Sequence, residues 1–309
     1  MRGLALVGVL AVLSLDTPCL GQGEPDPTDL DLDGVPGLAP PPAIPQAAAP
    51  SVLVGTGQLL IDRSHNEAFD VSGLTSFLLS QGWVVAENYA PITDSILTGQ
   101  DILMIPTRSV FTTMTPFSAA EVSVIQGFLQ GGKGLWVLHD NLDPTSVNTL
   151  TQTFGISYLY DYVQDPTNNE GNPAAPTIHL LTPHAIVNGV ESYGYYLGDC
   201  ISVMQPASIV GRADEDSYSL YCLLGTQPPT LAVWQAGGRA VFSGDITPLH
   251  PNYYSVRLRP EEQLLLQNIA NWLLGDSPTA VSPTTWGSVK SRYSFPASQT
   301  KETRPMPSP

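Results

Sequence analysis

Residues 117–140 read FSAAEVSVIQGFLQGGKGLWVLHD, and this stretch decides the architecture. Ser118, followed three positions on by Glu121, predicts a capping box, in which two side chains satisfy orphan N–H groups at a helix start. Phe117, just before the cap, stands where it can staple onto Val122. Val122, Ile125 and Leu129 recur on one helical face, and Gly131-Gly132 ends the helix. Leu135 to Leu138 then forms an unbroken apolar run, the pattern of a strand buried on both faces. It opens directly onto His139, Asp140 and Asn141. A capped helix passing through a glycine turn into a doubly buried strand is one unit of an α/β sheet.

The unit recurs on both sides. Gln58 to Asp62 reads as a strand ending in a charged turn. Val71, Leu74, Phe77 and Leu78 share a helical face, with Gly82 just beyond. Val84 and Val85 suggest a second strand and Asp101 to Pro106 a third. A helix over residues 146–154 follows the fourth. Residues 155–227 are irregular, with short strand signals and many turn residues. Thr230 to Trp234 and Arg239 to Ser243 read as a hairpin turning at Gly237-Gly238, its second strand ending at Gly244-Asp245. Glu261 to Leu274 closes the domain as an amphipathic helix carrying Leu265, Ile269, Trp272 and Leu273. The alternation implies right-handed crossovers over residues 51–275. The expected fold is α/β: a doubly wound, mostly parallel, flavodoxin-like sheet with an irregular β-rich insertion.

The flanks have a different texture. Arg2 and the apolar run from Leu4 to Leu15, ended by Asp16, Thr17 and Pro18, have the layout of a secretory signal peptide. The run is too short for a membrane anchor. Cys19 and Gly21 offer small residues at the cleavage site, so residues 1–21 read as a leader. A lipid on Cys19 is the alternative, though Asp16 and Pro18 sit badly before a lipidated cysteine. Residues 22–50, rich in Pro, Ala and Asp, read as a disordered linker. Within it, Asp29, Asp31, Asp33 and Gly34 resemble the start of a calcium loop, but Pro40 stands where the closing carboxylate belongs, leaving an acidic tether as the simpler reading. Residues 276–309, with Trp286, Lys290 and Arg292, read as a disordered tail.

A net charge of −16 argues against nucleic acid and anionic membrane surfaces as partners. With 42% apolar residues the chain can bury a full core. Export makes the expected location secreted, periplasmic or cell-surface, with no transmembrane span after cleavage. In that oxidising setting Cys200 and Cys222 either form one disulfide or remain separate buried thiols.

The order of elements, together with Leu135-Trp136-Val137-Leu138-His139-Asp140, resembles the class I glutamine-amidotransferase-like superfamily. The likeness is nearest to its uncharacterised secreted bacterial branch, and a similar GIFT-type module occurs in intraflagellar transport proteins. Thr182-Pro183-His184, Asn188-Gly189-Val190, Gly244-Asp245 and Asn268 to Leu273 add to the resemblance, which covers most of residues 57–275. It implies the fold more than any activity. Amidotransferases of this class place a cysteine in a Gly-x-Cys-x-Gly elbow after the central strand. Here that turn is His139-Asp140-Asn141, and the family's His-Pro-Glu is echoed only by His250-Pro251-Asn252. Without a nucleophile there is no acyl-enzyme.

Ligands of open parallel sheets bind beyond the carboxyl ends of the strands. Those ends collect Asp62, Arg63, His65, Asn66 and Glu67, then Thr107, Arg108 and Ser109, then His139 and Asp140, and finally Asp245, with His250 beyond it. One histidine with carboxylates from several loops can hold a divalent metal and activate water, although no metal-site spacing is present and no cofactor is expected. The plain alternative is that Asp62 and Asp245 cap turns while His65 and His139 bond to backbone; His179 and His184 read as structural. The sequence therefore favours a non-catalytic secreted or cell-envelope binding or scaffold module, its partner a small polar ligand, a glycan or an envelope protein. A His/Asp-dependent or metal-assisted hydrolase at the same crest, and a structural envelope component, are the alternatives.

Overall fold

In chain order the elements of the computed structural model are β1 (Gln58–Asp62), α1 (Ser72–Ser80), β2 (Val84–Asn88), α2 (Asp94–Leu97), β3 (Ile102–Thr107), α3 (Ala119–Gln130), β4 (Gly134–His139) and α4 (Thr145–Thr151). There follow β5 (Ile156–Gln164), β6 (Thr177–Ile178), β7 (Leu180–Leu181), β8 (Tyr193–Gly194), β9 (Asp199–Val203) and β10 (Ser208–Arg212). The chain closes with β11 (Tyr218–Ser219), β12 (Pro229–Ala236), β13 (Gly238–Ser243) and α5 (Pro260–Leu273). The structure describes residues 56–65, 70–107, 114–140, 143–221, 224–246 and 259–275. The expected leader, linker, calcium-loop-like segment and tail lie outside these residues, as do Asn66, Glu67, Arg108, Ser109, Asn141, Cys222 and His250.

The main sheet has eight strands in the order β2-β1-β3-β4-β13-β12-β10-β7. Pairings from β2 through β13 are parallel, and those from β13 to β7 are antiparallel. The parallel half has the flavodoxin-like winding, with the crossover direction reversing between β1 and β3. The pleat sends alternate residues to opposite faces. Leu59, Ile61, Ile102, Met104, Trp136, Leu138 and Val241 pack with Leu74 and Leu78 of α1 and Leu265 and Ile269 of α5. Leu60, Leu103, Ile105, Leu135, Val137 and Phe242 pack on the other face with Ile125 and Leu129 of α3 and Val147 and Leu150 of α4. Each such side chain, fully buried, contributes on the order of 1.5–3 kcal/mol.

The capping box forms as the sequence predicts: Ser118 Oγ accepts from the Glu121 amide at 3.3 Å, and the Ser118 amide donates to Glu121 Oε2 at 3.0 Å. The hairpin turns at Gly237, whose φ of +84° suits glycine. The helix expected over 146–154 is shorter. α4 stops at Thr151 and a 3₁₀ turn completes it. Gly155 ends that turn at φ +79°, where a Cβ would strike the Met204 carbonyl oxygen. The short helix α2 has no apolar period and was not foreseen.

The irregular region contains more order than its composition suggests. β5 is a nine-residue strand that pairs antiparallel with β9 and with β11. Its Ile156 and Tyr158, with Ile201 of β9, close the α3–α4 face of the main sheet. Cys200 on β9 is a free, fully buried thiol rather than half of a disulfide. No helix among the described residues is long and apolar enough to cross a membrane.

Candidate functional site

The carboxyl ends of β1, β3, β4 and β13 carry Asp62, Thr107, His139 and, two residues beyond β13, Asp245. Side-chain parity divides them. Asp62, Thr107 and His139 continue the α3–α4 face, whereas Asp245 lies against the α5 side.

At the end of β1, Asp62 Oδ2 lies 2.7 Å from His65 Nδ1, and His65 Nε2 lies 3.5 Å from Glu121 Oε1. The imidazole stacks on Phe117 with ring centroids 3.8 Å apart. Asp62 Oδ1 accepts from Ser64 Oγ at 2.8 Å and from Asn88 Nδ2 at 3.1 Å. Glu121 also accepts from the Ile92 amide at 3.1 Å. Burial opposes ionisation of Glu121, but the hydrogen bonds from Ser118 and Ile92 hold its carboxyl below the usual range. Asp62, His65 and Glu121 are all buried. The network ties β1, β2 and the start of α3 into one polar knot. Arg63 turns away from it to pair with Glu87 at 3.2 Å.

At the end of β4, His139 is fully buried and its Nδ1 meets the Asp199 carboxylate in a very short contact. The ring stacks on Tyr158 at 4.8 Å, and the Tyr158 hydroxyl donates to the Val137 carbonyl at 3.3 Å. Burial pushes the His139 imidazole down to about 4, against the opposing pull of Asp140 and Asp143. The ring is therefore neutral at pH 7, with its proton on Nδ1 facing Asp199 and Nε2 left as an acceptor. Among the described residues, Nε2 has no hydrogen-bond partner. Thr107 Oγ donates to the Leu138 carbonyl at 3.0 Å and so stitches β3 to β4 rather than facing outward.

Asp199 is placed by a close approach of two chain segments. Its amide donates to the Gly244 carbonyl at 2.7 Å, and its own carbonyl accepts from the Tyr195 hydroxyl at 2.5 Å. Gly244 must lack a Cβ, which would collide with the Asp199 carbonyl and the Tyr195 hydroxyl. Asp245, next in sequence, accepts from the Tyr196 amide at 2.6 Å and lines a small cavity with Trp136, Tyr193 and Glu262.

Sequence reasoning collected Asp62, His65, His139, Asp140 and Asp245 as one crest, and the structure resolves them into separate buried networks. The plain alternative also needs correcting. The Nδ1 atoms of His65 and His139 each meet a carboxylate, of Asp62 and of Asp199. Asp199 and Tyr158 were missed because both lie in the region read as irregular. The alternation in Ile156 to Gln164 was the available signal for Tyr158; none pointed to Asp199. The resemblance motifs serve packing: His184 packs its ring edge-on against Trp272 at 5.0 Å, and Asn268 donates to the Asn188 carbonyl at 2.9 Å.

Among the described residues the one group of three metal-type ligands is Asp165, Asp214 and Asp216, with donor atoms within 4.8 Å of one another. Asp165 follows β5 and the other two lie between β10 and β11, and the group excludes both crest histidines. Ser217 Oγ donates to Asp165 at 3.0 Å and to Asp214 at 2.7 Å, and Asn168 Nδ2 donates to Asp214 at 2.5 Å. Burial opposes ionisation of Asp214, yet these hydrogen bonds hold its carboxyl below the usual range. The burial of Cys200 pushes its thiol far up, so it supplies no thiolate near neutral pH.

No protein-family model and no curated protein matches the sequence. Solved structures do. The chain is similar to the N-terminal domain of mmIFT52, with a TM-score of 0.55 and 18% identity over 70% of this chain and 96% of that one. A ThuA-like protein from Bacteroides uniformis gives a TM-score of 0.48 and 14% identity over 77% of this chain and 98% of its own. A GMP synthase component from Thermoplasma acidophilum gives 0.42 and 10% identity over 71% and 96%. At these identities the likeness is one of fold, and it agrees with the flavodoxin-like sheet.

Proposed function

We propose that the protein is a non-catalytic binding or scaffold module built on a glutamine-amidotransferase-like fold, exported by its leader and engaging a ligand at or beside the carboxyl ends of the strands. One observation carries the reading. Where the superfamily's elbow would expose a nucleophile, this chain has a fully buried imidazole locked onto Asp199. A group with no exposed surface and a fixed partner acts as a structural pin. The one described cysteine sits elsewhere, on β9, with its thiol protonated.

A second reading has its own support. A carboxylate on Nδ1 with Nε2 left as acceptor is also how a catalytic base is oriented, or how a metal-binding histidine is held. Against it, no hydroxyl, thiol or carboxylate among the described residues bonds Nε2. The purified protein is to be analysed for zinc, iron and manganese, and melted before and after chelation, alongside His139→Gln. A ligand that binds only the folded state raises the melting temperature by mass action. The proposal expects no stoichiometric metal dependent on His139. Bound metal whose removal lowers the melting temperature of the wild type, but not of His139→Gln, overturns it in favour of the hydrolase.

A further inference from the structure

On β5 the register with β9 slips between Leu159, opposite Cys200, and Tyr162, opposite Asp199. The slip is a bulge holding Tyr160 and Asp161. Bulges re-aim side chains, and here the effect is visible. Tyr158 and Tyr162 are buried, whereas Tyr160 is 40% exposed. Asp161, fully buried by the same slip, accepts the Tyr221 amide at 2.7 Å and so anchors a second half-exposed tyrosine beside the first. The rings of Tyr160 and Tyr221 lie 18° from parallel with centroids 6.2 Å apart. Tyr162 supports both from beneath, at 5.9 Å and 6.2 Å. Further along the same small sheet, the half-exposed Tyr218 donates its hydroxyl to Gln164 at 3.2 Å. The patch abuts the crest, because Tyr162 pairs with Asp199, the partner of His139.

We infer that Tyr160 and Tyr221, with Tyr218 and Gln164 at the margin, form a stacking platform for a neutral saccharide. The inference rests on the binding-module reading and names its ligand class. Three features select that class. The exposed rings are all tyrosines, which offer an apolar face for the C–H side of a pyranose and a hydroxyl for its rim. The net charge of −16 repels sulfated or uronic-acid polymers, leaving uncharged sugars. The patch is also small. Three half-exposed tyrosines present on the order of 250 Å², against roughly 800 Å² per partner in a stable protein interface. Among the described residues the other large exposed apolar side chains are Leu79, Val84 and Tyr89, outside this small sheet, and Met204, which follows β9 at the Ile156 end of β5, an end four residues from Tyr160.

The test is titration of the intact protein with cellohexaose, mannohexaose, maltohexaose and N-acetylchitohexaose, followed by calorimetry and saturation-transfer NMR. At least one should bind, with ring protons saturated from tyrosine. Tyr160→Ala with Tyr221→Ala should weaken that binding at least about tenfold, a loss of roughly 1.4 kcal/mol, at an unchanged melting temperature. Tyr160→Phe with Tyr221→Phe should keep most of it, since the stacking faces remain. No binding of any of the four at about 10 mM, a concentration that would reveal even a millimolar Kd, overturns the inference. So does binding that ignores the alanine pair, or capture at this patch of the chain's own proline-rich peptide 36–50 in place of sugar. Metal or turnover dependent on His139 would defeat the non-catalytic reading while leaving a tyrosine-dependent sugar affinity standing, so the two failures are distinguishable.

Discussion

Acidifying the protein from pH 7 to 4.5 should cost it stability through His139. The unfolded chain takes up this proton near 6.5, whereas in the folded protein burial delays it to about 4. Between those values the unfolded state binds more protons, so stability is fully present above the unfolded value and is lost as pH falls. About two and a half pKa units at roughly 1.4 kcal/mol each set a ceiling of about 3.5 kcal/mol, of which about 2–3 kcal/mol should be gone by pH 4.5. The carboxylates held below their usual range, Glu87, Asp101, Glu121, Asp143 and Asp214, contribute mainly below about pH 4.5. His184, also lowered by burial and by Arg239, adds a smaller loss of the same sign. Urea unfolding at pH 7.0, 6.0, 5.0 and 4.5 reads the slope directly, and His139→Gln should remove most of it. Stability that holds level or rises toward pH 4.5 would mean an imidazolium paired with Asp199, and the neutral pin would be wrong.

Other expectations follow from the same contacts. His139→Leu removes the imidazole that meets the buried Asp199 carboxylate and should cost about 3–5 kcal/mol in urea melts, while adding Asp199→Leu should restore at least half of it. Gly244→Ala should cost about 2–3 kcal/mol, because its methyl meets the Asp199 carbonyl and the Tyr195 hydroxyl. Gly132→Ala, at φ +84° in open space, should cost only about 1 kcal/mol by the same assay. Glu121→Ala removes half the capping box and the Ile92 bond and should cost about 2 kcal/mol. Glu121→Gln, which keeps an acceptor, should lose less than half as much.

The fold was largely legible in the sequence because its signals are local. The Ser118–Glu121 box, the Gly131-Gly132 stop and the apolar run of β4 each specify their structure within a few residues. The strand ends at Asp62, His139 and Gly244-Asp245 were legible for the same reason. The partners were not. Asp199 reaches His139 across 60 positions of sequence, through a backbone approach that only Gly244 permits. Parity of the pleat decides that Asp245 leaves the group to which its strand end seemed to assign it. The alternation in β5 was present, but its bulge breaks the rule that would have placed Tyr160 inside. Polar residues and glycine-rich turns between residues 165 and 200 masked the strand's continuation into an ordered subdomain.

The central claim is that the buried His139–Asp199 pair performs no chemistry. The most direct measurement is turnover by the purified protein on glutamine, p-nitrophenyl esters and p-nitrophenyl glycosides, with and without added zinc, compared with His139→Gln. The account predicts rates indistinguishable from one another and from buffer. Turnover by the wild type that vanishes in a folded His139→Gln variant would contradict it and make the imidazole a catalytic base.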